Sequence, residues 1–215
     1  MRKLFFVVMV IMAMTGCDNA PVFHGLTQQE KETCAQSIKG EYPGWYTIVY
    51  TDKLTTGANT DLMRETIDSV TFSVSDMTTH SVVFNNFPLR LLARVVDNTE
   101  LGNALSTLPG MGLTGNYEFK RAADDGKVEW YFDFNPVALS LTYGGKQHDI
   151  VLHFRNTNNY ITFDKEQTES GTIFGEGRQL AFELDAIYEG DTPLQLFNDG
   201  WQEGPELMTV FHFGL

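Results

Sequence analysis

Several stretches of this sequence carry residue types that do chemistry, but few carry the context such chemistry needs. Gly110-Met111-Gly112-Leu113-Thr114-Gly115 spells G-x-G-x-x-G, in which glycines let a backbone approach a pyrophosphate at a helix N-terminus. That use requires a strand before the glycines and a helix after them. Here helical spacing precedes and strand alternation follows, so the stretch reads as a flexible loop. Gly171, Gly175 and Gly177 read as turn residues. The histidines are His24, His80, His148, His153 and His212, with no H-E-x-x-H pair among them. His148 and His153, five apart on one strand, fall on opposite faces. His153 and His212 can be neighbours across a sheet, but no third ligand is in view. The histidines therefore read as solvent-face residues, with no metal and no cofactor expected. No G-x-S-x-G stretch supplies a nucleophile on a strained turn, and no residue is assigned a catalytic role. Glu183 and Asp185 share a strand face; in so acidic a chain such pairs belong on solvated surfaces, and glycoside hydrolysis would need a cleft around them. Asp124-Asp125-Gly126 lacks the downstream ligands of a calcium loop.

One acidic, glycine-bearing segment, YEGDTPLQLFNDGWQEGPEL, carries Phe197 and Trp201. Aromatics on a loop can stack on a sugar or lid the mouth of a barrel, which makes Phe197 and Trp201 the candidate ligand-binding residues. The other reading has Leu194, Leu196, Phe197 and Trp201 packing over a barrel end as a plug, and the plug is favoured.

The N-terminus carries the sharper signal. Arg2 and Lys3 precede an uncharged apolar run from Leu4 to Met14. The run is well short of the roughly 20 residues a spanning helix needs, and it fits the apolar centre of a secretory signal. Met14-Thr15-Gly16-Cys17 follows, with small residues just before a cysteine. This resembles the lipobox of bacterial lipoproteins. The resemblance implies that Gly16 is the last signal residue and Cys17 the lipidated N-terminus, with Met14 in place of the commoner leucine. Three acyl chains, at about 0.8 kcal/mol per buried CH₂, are ample for a stable anchor. Asp18 follows the cysteine, which in enteric bacteria argues for inner-membrane retention. Other phyla read this region differently, and the outer membrane is the expected address, on a face left open.

The net charge of −13 becomes −15 once Arg2 and Lys3 leave with the signal, which argues against nucleic acid or an anionic membrane surface as a partner. With Cys17 acylated only Cys34 remains, so neither an intramolecular disulfide nor a cysteine zinc cluster is expected. Cys34 reads as a small buried hydrophobe. The organisation expected is a signal peptide over 1–16, a tether over 17–25 and one domain over 26–215. Thr27 and Glu30 form a capping box for a helix running to Ile38. Val70, Phe72 and Val74 alternate as a half-buried strand. Leu89, Leu92, Ala93 and Val96, then Leu101, Ala104, Leu105 and Leu108, fall at helical spacing and predict two short helices, with a strand as the alternative for LRLLARVV at 89–96. From Gly115 onward nearly everything is strand and turn, with hairpin signals at Asp124-Asp125-Gly126 and Gly144-Gly145. Trp130, Phe132 and Phe134 take one strand face; Glu129, Tyr131 and Asp133 take the other. Nine or ten strands joined by short turns imply an antiparallel sheet curled into a barrel or folded into a sandwich.

The lipobox, the short helix, G-E-Y-P-G-W-Y at 40–46 and N-F-P-L-R-L-L at 86–92 together resemble uncharacterised Bacteroidetes envelope lipoproteins with calycin-like, lipocalin-type barrels. The resemblance implies a mainly β fold: an antiparallel calycin-like β-barrel with an N-terminal helix and a short helical insertion. It transfers no functional residue beyond Cys17. The function expected is that of a non-enzymatic, membrane-anchored envelope lipoprotein binding a small apolar or sugar ligand or an envelope protein partner. The alternatives are a structural or protein-interaction module with a filled core, or a glycan hydrolase using carboxylates near residues 189–206. Asp68-Ser69-Val70 also matches a three-residue O-glycosylation pattern used in that phylum.

Overall fold

The structure is a computed structural model that describes residues 22–51, 62–123, 127–156, 159–162, 179–197 and 208–213. Thr27 opens helix α1 (Gln28–Ile38), as its spacing to Glu30 predicts. The Glu30 N–H donates to Thr27 Oγ1 at 3.3 Å, and the Thr27 N–H donates to Glu30 Oε2 at 2.7 Å. Two otherwise orphaned donors at the helix start are thereby satisfied. The helix buries Cys34, Ala35 and Ile38 along one face. Ahead of it, the last three residues of the expected tether, Phe23–Gly25, form a short strand, β1.

The remaining strands are β2 (Gly40–Thr51), β3 (Leu62–Val74), β4 (Ser81–Phe87), β5 (Met111–Ala123), β6 (Lys127–Phe134), β7 (Val137–Tyr143), β8 (Lys146–Asn156), β9 (Asn159–Thr162), β10 (Gln179–Glu189), β11 (Thr192–Leu196) and β12 (Met208–Phe213). They form one antiparallel sheet in the order β7-β8-β10-β12-β2-β3-β4-β5-β6-β9, with β1 added on β5 and β11 on β10. Two residues of chain separate β8 from β9, yet these strands stand towards opposite ends of that order. The sheet must therefore curl until its ends meet. β6 and β8 indeed come within 8 Å, Cα to Cα. Among the described residues no ladder joins the two ends, and no closed barrel is detected.

Bulges supply the curl, because an extra residue in one strand bends it and increases its twist. One lies where Trp45 faces both Asp68 and Ser69, with Ser69 at φ 60° and exposed. A second lies at Asn85 and Asn86, with Asn86 at φ 56°. The carbonyl freed there, on Asn85, accepts the hydroxyl of buried Tyr46 at 2.7 Å. Pro43, which has no N–H to give, sits one residue beyond the last described pair of β2 with β12, Gly44 with Phe213.

The inner face is aromatic. Phe72, Phe84, Phe87, Phe119, Trp130 and Phe182 are fully buried, and Phe84 lies between Phe72 at 4.5 Å and Phe182 at 5.0 Å, centroid to centroid. Helix α1 lies against one end of the curled sheet, where Tyr42 Oη donates to the Ile38 carbonyl and Lys39 pairs with Asp76 at 2.9 Å. A 3₁₀ helix (Leu89–Arg94) and α2 (Thr99–Ser106) cover the other end with Leu89, Leu91, Leu92, Leu101 and Leu105. The insertion is thus helical as expected, its first part wound tighter than an α-helix.

Three expectations are corrected. Gly112 to Gly115 open strand β5 rather than a flexible loop, and the backbone of β6 explains the last glycine: a Cβ on Gly115 would lie 2.4 Å from the Asp133 carbonyl oxygen. His153 and His212 are not cross-strand neighbours. β10 runs between them, with His153 opposite Ala186 and His212 opposite Gln179, seven residues away along that strand. Glu183 is not solvated: it is 8% exposed and held by Arg155, whose Nε and Nη2 lie 3.0 and 2.8 Å from Glu183 Oε2. Asp185 is the extra residue of a bulge between Leu184 and Ala186.

Candidate functional site

Because the inner face is occupied, the features that could receive another molecule lie on the outside of the sheet. The first is a groove of about 580 Å³ between α1, the β3–β4 turn and the outer face of β5 and β6. Alternation places Glu118 of β5 and Tyr131 of β6 outward and directly opposite each other. Tyr131 Oη donates to Glu118 Oε2 at 2.5 Å, and Lys31, reaching across from α1, donates to Glu118 Oε1 at 3.3 Å. The Tyr131 hydrogen bond, followed by Lys31, holds the Glu118 carboxyl below its ordinary range. The same bond pushes the Tyr131 phenol up. Glu118 is therefore a fixed, ionised acceptor rather than a proton donor. Gln28 lines the groove three residues from Lys31 on the same helix face.

The turn across the groove is built by Asp76. Its side-chain Oδ1 accepts the Thr78 N–H at 3.0 Å, and its carbonyl accepts the His80 N–H at 2.9 Å. His80 closes the turn at φ 51°, a left-handed conformation that histidine adopts more readily than most residues. Its carbonyl accepts the Tyr117 N–H at 2.8 Å, and its ring stands 6.0 Å from that of Tyr117. Tyr117 donates its hydroxyl to the Ser75 carbonyl at 2.8 Å, and burial pushes its phenol up to about 12. The groove is thus lined by the carboxylates of Glu118 and Asp133, a lysine, an imidazole, the phenols of Tyr117 and Tyr131 and the amides Gln28 and Asn116. That set suits hydrogen bonding to a polar partner.

The second groove, about 570 Å³, lies between the 3₁₀ helix and α2. Arg90 is steadied by Glu65, Nη1 to Oε1 at 3.1 Å, while Arg94 is exposed and makes no ion pair among the described residues. Gly102 lets the two helices approach: a Cβ there would stand 3.4 Å from the Ala93 carbonyl oxygen. β11 clamps the linker between them, because Gln195 Oε1 accepts the Asp97 N–H at 2.9 Å and Gln195 Nε2 donates to the Val95 carbonyl at 3.0 Å.

Of the residues singled out in the sequence, Gly16, Cys17 and Trp201 lie outside the described residues. Phe197 is 8% exposed and belongs to the core, its N–H donating to the Asp185 carbonyl at 3.0 Å; it lines neither groove. Leu194 and Leu196, expected to pack beside it, are 40% and 49% exposed. Lys31, His80, Glu118, Tyr131 and the arginine pair were not legible as sites. The spacing of Gln28 and Lys31 shows that they share a helix face, but nothing in the spacing says that Glu118 lies across from them. Among the described residues no group of three His, Cys, Asp or Glu could hold a metal ion, and no helix is long and apolar enough to cross a membrane.

No curated protein and no solved structure matches the chain. A family model described as a domain of unknown function (DUF4840) matches residues 37–176. The match runs from the end of α1 through β9 and stops short of β10 and β12, which nevertheless lie inside the strand order, between β8 and β2. It covers well over half of the sequence, and the chain therefore belongs to the DUF4840 family.

Proposed function

We propose that this protein is a non-enzymatic envelope lipoprotein, anchored through acylated Cys17, whose filled calycin-like barrel serves as a scaffold for binding a protein partner or a small polar ligand on its outer surface. The observation that carries this reading is the continuous aromatic packing of the inner face, where Phe72, Phe84, Phe132, Phe134, Phe154 and Phe182 contact one another at 4.5 to 6.3 Å, centroid to centroid. A carrier of an apolar molecule needs that volume empty. The near meeting of β6 and β8 supports the barrel. The cysteine after a short apolar signal supports the anchor.

The hydrolase alternative fares worse. Three described carboxylates on or near the 189–206 segment are engaged, Glu183 and Asp185 by Arg155 and Glu189 by His148 Nδ1 at 2.7 Å, while Asp191 is exposed with no cleft around it among the described grooves. The reading is tested in the producing cell by placing a photo-crosslinking residue at Thr79, in the first groove, or at Asn103, in the second. One discrete adduct, formed from one groove and not the other, is expected. A chain that carries its acyl mass yet forms no adduct from either groove overturns the binding role.

A further inference from the structure

The start of the folded domain is fastened where a loose tether would be expected. β1 runs antiparallel to β5, pairing Phe23 with Ala123 and Gly25 with Arg121. The Arg121 guanidinium lies 4.3 Å from the centroid of the Phe23 ring and pairs on its other side with Glu129, which is only 6% exposed although it belongs to the outer face of β6. Glu129 fixes the guanidinium against the ring, so releasing β1 breaks the Phe23–Arg121 contact as well as the pairing with β5. Leu26, next in the chain, packs against the core.

This latch determines where an anchor at Cys17 can be. Traced backwards from Phe23, the chain leaves the sheet past Ala123, at the end where β5 meets β6. From Cys17 to Val22 there are five residue steps, a reach of at most about 18 Å. Strand β5, from Met111 to Ala123, is about 40 Å long at about 3.3 Å per residue. The leash is less than half the length of that strand, so Cys17 cannot reach the end where the 3₁₀ helix and α2 sit. We propose that the Ala123–Lys127 end of the curled sheet is the face apposed to the lipid surface, and that the arginine groove between the 3₁₀ helix and α2 is the end held away from it. The first groove, at Glu118 and Tyr131, lies part-way along the same strands.

The proposal rests on the lipoprotein reading, and its test separates the two. The full lipoprotein is purified from its own membrane, its N-terminal mass is measured, and it is reconstituted into phosphatidylcholine vesicles carrying an energy-acceptor headgroup lipid. A fluorophore is attached through an encoded azide at Lys127 or, in a second preparation, at Asn103. Transfer to the lipid is expected to be several-fold stronger from position 127. Inserting ten Gly/Ser residues before Val22, which leaves the latch untouched, is expected to shrink the difference. Phe23→Gly, which removes the ring from Arg121, is expected to act in the same direction. Equal transfer from 127 and 103 in an acylated chain overturns the orientation and leaves the lipoprotein reading standing. A difference unchanged by the insertion also overturns the short-leash argument. A chain with no acyl mass at Cys17 overturns both.

Discussion

Replacing Phe84 with alanine is the most direct perturbation of the filled interior. Phe84 is fully buried and lies among the rings of Phe72, Phe132, Phe134 and Phe182 at 4.5, 5.5, 5.7 and 5.0 Å. Large-to-small substitutions of a buried phenylalanine cost about 3–5 kcal/mol, the spread reflecting how far the site can collapse. Here the four neighbouring rings come from four strand positions on β3, β6 and β10, each fixed by its own ladder, so collapse is hindered and a cost of about 4 kcal/mol is expected. With a urea dependence of about 2 kcal/mol per molar, the unfolding midpoint should fall by about 2 M. Urea unfolding followed by tryptophan fluorescence and by far-ultraviolet circular dichroism measures it. Phe84→Leu, which retains most of the volume, should lose much less. A Phe84→Ala midpoint within about 0.5 M of the parent would mean a loss near 1 kcal/mol. That result would refute the claim that the rings are close-packed, because a side chain beside an existing void can be removed cheaply.

Three further outcomes are expected. Gly115→Ala should destabilise by about 1–3 kcal/mol through contact with the β6 backbone, whereas Gly112→Ala, whose nearest neighbours stand 4.0 Å away, should be tolerated; paired thermal melts decide it. Thr27→Ala should cost about 1 kcal/mol at neutral pH by removing the cap. The Thr27 backbone and side-chain hydrogen bonds hold Glu30 below its ordinary 4.5, so their contribution is present above that pH and lost as pH falls through the folded value; the variant keeps the backbone bond and loses the Oγ1 bonds, of which the one from the Glu30 N–H is independent of the carboxyl's charge, so acid melts of parent and variant should draw closer without converging. At the alkaline end, burial pushes the Cys34 thiol from 9.0 up to about 11, and raises Tyr46 and Tyr117 likewise. Folded values above unfolded ones mean stability that is full below about pH 9 and declines as pH rises towards 11. The urea midpoint should fall across that window, and Cys34 should resist thiol reagents at pH 8 until the chain unfolds.

Much of the fold was legible because its signals are local. The capping box at Thr27 and Glu30, the alternation through Val70 to Val74 and the opposed faces of β6 each follow from neighbours a few residues apart, and the structure repeats them. What sequence spacing could not supply is register. The bulges at Ser69, Asn86 and Asp185 change which residues meet across strands, and although each falls in a stretch that drew attention, nothing in those stretches marks an extra residue. A further shift between Phe119 and Arg121 sets Glu118 against Tyr131, so the centre of the first groove depends on a bulge that periodicity does not announce. The misplacement of His212 relative to His153 has the same origin: both strands were recognised, but not that β10 lies between them. Glu183 read as solvated, and Glu129 was placed only on the face opposite the aromatic stripe, because alternation reports the face and not what covers it. An arginine one strand over covers each, Arg121 and Arg155.

The central claim is that the inner face of the curled sheet is filled by the protein's own side chains and that binding, where it occurs, is external. Native mass spectrometry of the chain purified gently from the cell that produces it tests this most directly. The expected mass is that of the polypeptide with its covalent modifications and no stoichiometric apolar molecule retained inside it. A tightly held lipid or other apolar molecule, present at one per chain and released only on unfolding, would contradict it.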